Sequence, residues 1–405
     1  MRTSTLALVL TLSLARIALA TDQFDPKPEK VLSGPASKPW ARTELLRDRH
    51  PELITEKFLR DTQPKDIVGE GIVDGFGTTT PSSGTVLLHY APGWDKSKQK
   101  VPVILVHGTG SNANHSFGVE RDGGHGAMVR FLSAQGRAVF AVSFAAPFGS
   151  NWLQREMLVD AIQRVKTVTG AKQVDLIAHS KGTVVARMLV SDVKKDWGTP
   201  FAGDVRRAVL LASPSRGIDF TFRHPNSATF VFPMMGARFA APRDMTYMID
   251  LDGSRGIFGG TQDGVLEMTA DLSSDAPYSL LEFDGIASRI GGWGTLGHYP
   301  GVQAAVDRSG NLVARLEKAG VDPRVQLSVL AGTRQFFDGP NGIPPLVAGE
   351  MDGPGDGLVL SKSLEATKGL TRRGAKLADL KRLAINHGEC VYNPEALTWI
   401  ESQLE

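Results

Sequence analysis

A serine lies between small residues at a point where an apolar run meets a helical segment. The motif Ala178-His179-Ser180-Lys181-Gly182 directly follows the run Val174-Asp-Leu-Ile-Ala178. Small residues two positions before and after the serine allow a tight strand-to-helix turn, which holds the hydroxyl clear of the sheet. A serine hydroxyl in this position becomes a useful nucleophile when a base and an orienting carboxylate accompany it. The motif therefore predicts that Ser180 is a nucleophile.

The base must be found among nine histidines. His107 and His179 belong to glycine-containing motifs and are expected to be structural. A serine on a strand-to-helix turn is followed in the chain by the acid and then by the histidine. This order disfavours the histidines that precede the later core elements, which are His50, His89, His115, His125, His224 and His298. His387, in Ile385-Asn-His-Gly-Glu389, precedes a predicted C-terminal helix from Pro394 to Leu404 and is the predicted base.

The acid is expected in a loop after a late strand. Val325-Gln-Leu-Ser-Val-Leu330 is such a strand, and acidic residues follow it at positions 338, 350, 352 and 356, which are Asp338, Glu350, Asp352 and Asp356. Glycines flank Asp356 in Gly355-Asp-Gly-Leu-Val359, and a turn there can point the carboxylate at a histidine. The sequence favours Asp356, with Asp352 as the alternative.

A second glycine-containing motif, His107-Gly108-Thr109-Gly110, follows the apolar run from Val101 to Val106. A loop after an early strand supplies one backbone N–H to an oxyanion hole, and the residue after the nucleophile supplies the other. We assign these donors to Thr109 and Lys181. Only main-chain groups act in this role, so neither side chain is required for it.

The apolar runs are separated by helical segments along most of the chain. Besides the three runs already described, Ala138 to Phe144 and Ala208 to Ala212 are apolar over the length of a strand. Helical segments are predicted from Trp152 to Thr167 and from Gly182 to Val193. Apolar strands alternating with helices are typical of an α/β protein with a doubly wound, mostly parallel sheet that helices cover on both faces.

Four parts of the chain differ in composition. Residues 1–20 have a basic start, a short apolar run and the cleavage site Ala18-Leu19-Ala20, which predicts a signal peptide and secretion to the periplasm or the extracellular space. Residues 21–95 are predicted to be an extension packed on the core, with a helix from Trp40 to Leu59. Residues 96–405 form the main domain. Within it, residues 217–300 interrupt the alternation, and we interpret them as a cap over the site; the alternative is a second small domain.

Composition excludes several other functions. The 45 basic and 43 acidic residues nearly cancel, so no nucleic-acid partner is expected. Cys390 is the only cysteine, which excludes an intramolecular disulfide and a cysteine cluster for zinc. We interpret it as a small buried hydrophobe rather than a nucleophile.

These motifs resemble those of the bacterial lipases of the α/β-hydrolase superfamily, especially the class 2 type. Ala178-His-Ser-Lys-Gly182, Val106-His-Gly108, Asp356-Gly-Leu-Val359 and Asn386-His387-Gly388 carry the resemblance. It implies an α/β-hydrolase fold with a cap or lid insertion and a triad of Ser180, Asp356 and His387. The reaction that such a triad carries out requires no organic cofactor. Some of these lipases hold a structural calcium ion near the histidine loop, for which the stretch from Glu350 to Asp356 could supply ligands.

The chain departs from the lipase motif at two positions. Lys181 stands where these lipases usually have Met or Gln, and Thr183 where a second glycine is common. Lys181 is expected to make the mouth of the site more polar. Extracellular polyhydroxyalkanoate depolymerases share the A-H-S-x-G motif.

The sequence predicts a secreted lipase or carboxylesterase that acts on acyl esters, and a Phe- and Met-rich cap that could contact a lipid interface. A polyester depolymerase is one alternative. A non-catalytic secreted binding protein of the same fold is the other.

Overall fold

The computed structural model describes residues 26–34, 40–48, 70–78, 81–82, 84–118, 128–225, 263–276, 278, 283–295, 298–335 and 353–405. The predicted signal peptide, residues 1–20, lies outside these ranges, as does most of the predicted cap. The domain boundaries therefore stay predictions. No helix in the described ranges is long and apolar enough to cross a membrane.

A mostly parallel sheet forms the centre of the protein. Its strands are β1 Lys30–Ser33, β2 Arg42–Arg47, β3 Thr85–Tyr90, β4 Val103–Val106, β5 Val139–Phe144, β6 Val174–His179, β7 Val205–Leu211, β10 Gln326–Gly332 and β11 Lys376–Leu383. The strand order is β1-β2-β3-β5-β4-β6-β7-β10-β11, and all pairs from β5 to β11 are parallel. The pairs β1–β2, β2–β3 and β3–β5 are antiparallel. A separate hairpin pairs β8 Gly292–Trp293 with β9 His298–Tyr299.

Helices follow most of the strands. They are α1 Glu70–Phe76, α2 Met128–Ala134, α3 Asn151–Thr169, α4 Lys181–Val190, α5 Phe220–Arg223, α6 Asp263–Leu266, α7 Gly285–Ile290, α8 Val302–Arg308, α9 Leu312–Ala319, α10 Ser361–Leu364, α11 Lys368–Thr371 and α12 Pro394–Ser402. The parallel strands, which are joined through helices, confirm the predicted α/β doubly wound architecture.

Each face of the sheet has its own hydrophobic core. In β4, Ile104 and Val106 pack into one cluster with residues of α3 and α4, whereas Val103 and Leu105 pack into another with residues of α2 and α12. Successive side chains of a strand point to opposite faces, so a strand that helices cover on both sides is apolar throughout. This explains why the sequence shows these strands as continuous apolar runs.

The N-terminal segment extends the sheet. The prediction of a helix from Trp40 to Leu59 is wrong over Arg42–Arg47, which is strand β2. Within this strand Glu44, Leu45 and Leu46 are buried, because β2 pairs with β3 and residues of α3 pack against it. This tertiary packing outweighs the local helical pattern.

A buried carboxylate joins β2 to α3. Glu44 is fully buried and accepts two hydrogen bonds from Arg164, at 2.8 and 3.0 Å, and one from the Tyr90 hydroxyl at 2.6 Å. Arg42 also forms an ion pair with it. Burial alone would raise the pKa of Glu44, but these hydrogen bonds and the two guanidinium charges outweigh it and leave the pKa below its ordinary value.

We expect Glu44→Ala to lower the free energy of unfolding by roughly 3 kcal/mol, because it leaves the largely buried Arg164 without its carboxylate. Urea unfolding at neutral pH measures this loss. Arg47→Ala, which breaks the half-exposed Arg47–Glu29 pair on the same strand, is the control and should cost less than about 1 kcal/mol.

The pH dependence of the free energy of unfolding gives a second test of the same variant. The pKa of Glu44 is lowered on folding, so its stabilisation is present above the unfolded value of 4.5 and is lost as the pH falls through the folded value. The difference between wild type and Glu44→Ala should therefore shrink below pH 4.5. Equal losses for Glu44→Ala and Arg47→Ala would contradict this account.

Candidate active site

Ser180 stands at the turn between β6 and α4 in a strained conformation. Its backbone has φ 53° and ψ −127°, in the region that non-glycine residues rarely adopt. The Ser180 amide donates to the carbonyl of Leu211 at 2.9 Å, and the Thr183 hydroxyl donates to the Ser180 carbonyl at 2.6 Å. These bonds hold the serine at the N-terminus of α4, where its side chain is partly exposed.

Two glycines allow the chain to approach this turn closely. A Cβ atom built on Gly182 would lie 2.5 Å from the carbonyl oxygen of His107 and 2.6 Å from that of Val106. A Cβ atom on Gly108 would lie 2.9 Å from the Cβ of Ser180. The glycines of the two sequence motifs therefore belong to one close contact between the end of β4 and the start of α4.

His387 lies between Ser180 and Asp356. Its Nε2 is 2.9 Å from the Ser180 Oγ, and its Nδ1 is 2.8 Å from the Asp356 Oδ2. With the carboxylate accepting from Nδ1–H, Nε2 is left to accept the serine proton. The structure thus brings the three residues that the sequence selects into one hydrogen-bonded chain.

The loop that carries Asp356 holds the carboxylate in one orientation. Asp356 is fully buried, and its Oδ1 accepts from the amides of Leu358 at 3.1 Å and Val359 at 2.9 Å, which leaves Oδ2 for His387. The His387 amide donates to the Asp356 carbonyl at 2.8 Å. The other acidic candidates, Asp338, Glu350 and Asp352, lie outside the described residues.

The loop that carries His387 is braced by its neighbours. The Asn386 side-chain oxygen accepts from the amides of Gly388 and Glu389, both at 3.1 Å. His179, expected to be structural, has its Nε2 2.9 Å from the carbonyl oxygen of His387. Cys390 is fully buried, and burial raises the pKa of its thiol well above the ordinary value, which fits a buried hydrophobe.

His107 orients the first predicted oxyanion donor. Burial lowers its pKa to about 3, so the ring is neutral. Its Nε2 accepts from the Phe144 amide at 3.2 Å, so its Nδ1 carries the proton and donates to the Gly108 carbonyl at 2.8 Å. That carbonyl and the Thr109 N–H belong to one planar peptide unit and point in opposite directions. His107 therefore fixes the direction of the Thr109 N–H.

Lys181 differs from the sequence expectation. Its amide is the first of α4, and the first amides of a helix have no intrahelical acceptor. Its side chain was expected to make the mouth of the site more polar, but it is 1% exposed and donates to the Gln154 side-chain oxygen. The expectation is wrong because the end of the side chain, Cε and Nζ, lies against Gly264 instead of lining the pocket.

A mainly apolar cavity of about 340 Å³ opens over Ser180 and His387. Ile218, Phe220, Val265 and Met268, from the region predicted as a cap, contribute to its apolar lining. Ser111, His115 and Ser116, which follow the His107–Gly110 motif, contribute polar groups; the Ser111 Oγ lies 3.1 Å from the His115 Nδ1 and 2.7 Å from the Ser116 Oγ.

Within the described ranges, no three His, Cys, Asp or Glu side chains cluster in a way that could hold a metal ion. Glu350 and Asp352, the suggested calcium ligands, lie outside these ranges. A structural calcium ion stays a prediction from the resemblance.

Sequence reasoning missed two groups of residues at the site. The first is the polar group of Ser111, His115 and Ser116, whose closeness in sequence to Gly110 could have identified it. The second is the contact of Lys181 with Gln154 near Glu267. A lysine at the start of an apolar helix was a signal, but nothing in the sequence indicated its partners.

We expect Gly182→Ala to reduce ester hydrolysis at least tenfold, because the added Cβ must displace the His107 and Val106 carbonyls that lie at 2.5 and 2.6 Å. Steady-state rates beside thermal melting measure the effect. Gly136→Ala is the control; its Cβ would meet no atom within 4 Å, although Gly136 also has a positive φ. Equal activity in both variants would contradict the close approach at Gly182.

A family model described as a domain of unknown function (DUF7379) matches residues 83–251, less than half of the chain. The match covers Ser180 and the His107–Gly110 motif but ends before Asp356 and His387.

Several solved structures are similar to the chain at low sequence identity. The mature lipase BlEst2 of Bacillus licheniformis has 15% identity and a TM-score of 0.44, and the match covers 76% of this chain and 93% of that one. EstA of Clostridium botulinum has 16% identity and a TM-score of 0.43, with 76% and 87% covered. The lin2722 product of Listeria innocua has 14% identity and a TM-score of 0.38, with 76% and 94% covered. With its mostly parallel sheet, flanking helices and serine on a strand-to-helix turn, the chain has the α/β-hydrolase fold.

Proposed function

We propose that the protein is a secreted serine ester hydrolase, a lipase or carboxylesterase that acts on acyl esters. The observation that carries this proposal is the hydrogen-bonded chain of Ser180, His387 and Asp356, which opens into a mainly apolar cavity. A nucleophile, a base and a buried orienting carboxylate at these distances have the geometry that acyl transfer requires. The complete set of hydrogen bonds that joins Ser180, His387 and Asp356 also argues against a non-catalytic binding protein of the same fold.

The first half-reaction forms an acyl-enzyme. The Ser180 Oγ attacks the ester carbonyl carbon while the His387 Nε2 takes the hydroxyl proton, and Asp356 stabilises the resulting imidazolium. The amides of Thr109 and Lys181 donate to the oxyanion of the tetrahedral intermediate. The intermediate then collapses, the bond to the alcohol breaks, and His387 protonates the leaving alkoxide.

The second half-reaction releases the acid. His387 takes a proton from water, whose oxygen attacks the acyl-enzyme carbonyl, and the same two amides stabilise the second oxyanion. Collapse of this intermediate returns the proton to Ser180. These steps use only side chains and amides of the protein, so the proposed reaction requires no organic cofactor.

The cavity favours a substrate with an apolar acyl group. Ile218, Phe220, Val265 and Met268 can cover a hydrocarbon chain next to the serine, and burying each methylene of such a chain is worth about 0.8 kcal/mol. The sequence of residues 1–20 supports export, because it combines a basic start, an apolar run and an A-x-A site.

Contact with a lipid interface is part of the proposal. Phe283, Ile286, Ile290 and Trp293 are 56–85% exposed and lie within eleven residues of one another, and we call them the apolar patch. They lie on and beside α7, whose buried Ser288 donates to the Phe222 carbonyl of α5 at 2.5 Å. Phe220 of α5 lines the cavity, so α5 contacts both the cavity and the helix that carries the apolar patch. Exposed Trp and Phe side chains of this kind favour a membrane interface.

The first test is hydrolysis of p-nitrophenyl esters of short and long acyl chains by wild type and Ser180→Ala. We expect Ser180→Ala to lose at least 10³-fold in kcat/KM, because the acyl-enzyme cannot form without the hydroxyl. Ser111→Ala, which removes a hydroxyl from the same cavity, is the control and should keep activity within about tenfold.

The acyl-chain profile separates the substrate classes. Preference for short soluble esters indicates a carboxylesterase, and turnover of emulsified long-chain esters indicates a lipase. Polyester films serve as a further substrate, and their turnover in place of monomeric esters indicates a depolymerase. Folded wild type that cleaves none of these would overturn the hydrolase proposal in favour of a binding role.

The apolar patch makes a separate prediction. We expect the double variant Phe283→Ser and Trp293→Ser to hydrolyse emulsified triglyceride roughly tenfold more slowly while its rate on a soluble short-chain ester stays within twofold, because only adsorption to the interface is weakened. Val31→Ser, which removes an exposed apolar side chain from β1, is the control. Equal loss on both substrates would argue against an interfacial role.

A further inference from the structure

We propose that the buried Lys181 side chain is a positioning residue that ties the oxyanion hole to the wall of the acyl cavity through Gln154 and the turn formed by residues 145–151, which we call the bridge turn. The inference rests on the proposed function, since it concerns the geometry of the same site. Lys181 acts here through its side chain, in addition to the role of its amide.

The bridge turn is connected to the residues of both predicted oxyanion donors, to Lys181 through Gln154 and to Thr109 through its neighbour Gly110. The Gln154 side chain accepts from the Lys181 Nζ and donates to the Ala146 carbonyl at 2.7 Å. On the other side, the Gly110 amide, next to Thr109, donates to the Pro147 carbonyl at 3.4 Å. The Phe148 ring also packs so closely on Gly110 that a Cβ there would lie 2.6 Å away. Both halves of the oxyanion hole are therefore held against one turn.

The bridge turn also holds the segment that lines the cavity. The Gly264 amide donates to the Phe148 carbonyl at 3.1 Å, and the Asn151 side chain donates back to the Gly264 carbonyl at 2.7 Å. Glu267 accepts from the Ser150 hydroxyl at 2.7 Å and from the Asn151 amide at 2.6 Å. Val265 and Met268 of the same segment line the cavity, so an acyl group there touches a segment tied to the oxyanion hole.

The burial of the Lys181 ammonium is unfavourable in itself. The Lys181 side chain is 1% exposed, and its ammonium donates to the neutral Gln154 amide oxygen rather than to a carboxylate. Burial lowers the pKa of Lys181 and raises the pKa of the nearby Glu267, and the attraction between the two groups offsets part of both shifts. Apolar side chains at both Lys181 and Gln154 would avoid this cost, because replacing both partners of a buried polar contact with well-packed apolar groups is often neutral or stabilising. A buried charge beside a nucleophile, with a neutral side chain as its hydrogen-bond partner, is typical of a functional site.

Lys181→Met tests the inference, because it keeps the length of the stem and removes only the ammonium. Two readouts are needed: kcat and KM for a p-nitrophenyl ester, and the rate at which a fluorophosphonate labels Ser180. In the labelling reaction Ser180 Oγ bonds to phosphorus, fluoride leaves and His387 takes the hydroxyl proton. The phosphoryl oxygen occupies the oxyanion hole, so labelling reports its geometry without any ester substrate.

We expect Lys181→Met to reduce kcat and the labelling rate about tenfold, with KM within twofold. The melting temperature should fall by only a few degrees, because one buried acceptor, the Gln154 side-chain oxygen, loses its donor. Gln154→Met should give a similar loss, and the double variant should lose no more than either single variant, because all three break one connection. Lys172→Met, at an exposed lysine, should leave both rates unchanged.

The outcomes distinguish the two proposals. Wild type that is labelled, while Ser180→Ala is not, supports the nucleophile; if Lys181→Met is then labelled at the wild-type rate, the positioning role is overturned and the hydrolase proposal stands. If Lys181→Met does not fold, Gln154→Met decides, and an unchanged labelling rate in that variant overturns the positioning role. Additive losses in the double variant overturn it as well. Wild type that is neither labelled nor active overturns both proposals.

Discussion

The backbone of Ser180 has a positive φ at the point where β6 passes into α4, and the arrangement of the site depends on this one strained residue. Its amide is held by β7, its carbonyl by the Thr183 hydroxyl, and its Cβ lies against Gly108 at the end of β4. Contacts with three neighbouring elements, β7, α4 and the segment after β4, therefore hold the strained conformation. The turn also places the hydroxyl and the next amide at the N-terminus of α4, and the proposed mechanism uses both.

The partners of Ser180 come from chain segments far apart in sequence that the parallel sheet brings to one edge. Asp356 follows β10 and His387 follows β11, and the carboxyl ends of parallel strands lie at a common edge. The loops are then fixed by short-range bonds: Asp356 by the two amides that follow it, and His387 by the main chain of Asp356 and by His179. The groups that contact the reacting atoms in the proposed mechanism are in turn oriented by His107, His179 and Asn386.

Elements of the fold and site can be predicted from the sequence where their pattern is local, and they cannot where they depend on partners distant in the chain. The buried strands β4 to β7 and β10 could be found because two covered faces leave a continuous apolar run, and the candidate triad because local glycine patterns mark tight turns. Strand β11 has exposed charged residues at the edge of the sheet and gave no such pattern. The local pattern at Arg42–Arg47 predicts a helix, whereas its strand partner β3 and the helix α3 that covers it are distant in sequence. The direction of the Lys181 side chain was equally out of reach, since Gln154 and Glu267 lie 27 residues before and 86 residues after it.

Cys390, described above only as a buried hydrophobe, has a practical consequence. It is the only cysteine of the chain, it is fully buried, and it lies three residues after His387 in the same loop. A thiol reagent can modify it only when that loop opens, so the rate of modification under native conditions reads out the opening free energy of the segment that carries the proposed base. The protein thus contains a built-in chemical probe for the local stability of its own site, with no engineered label required.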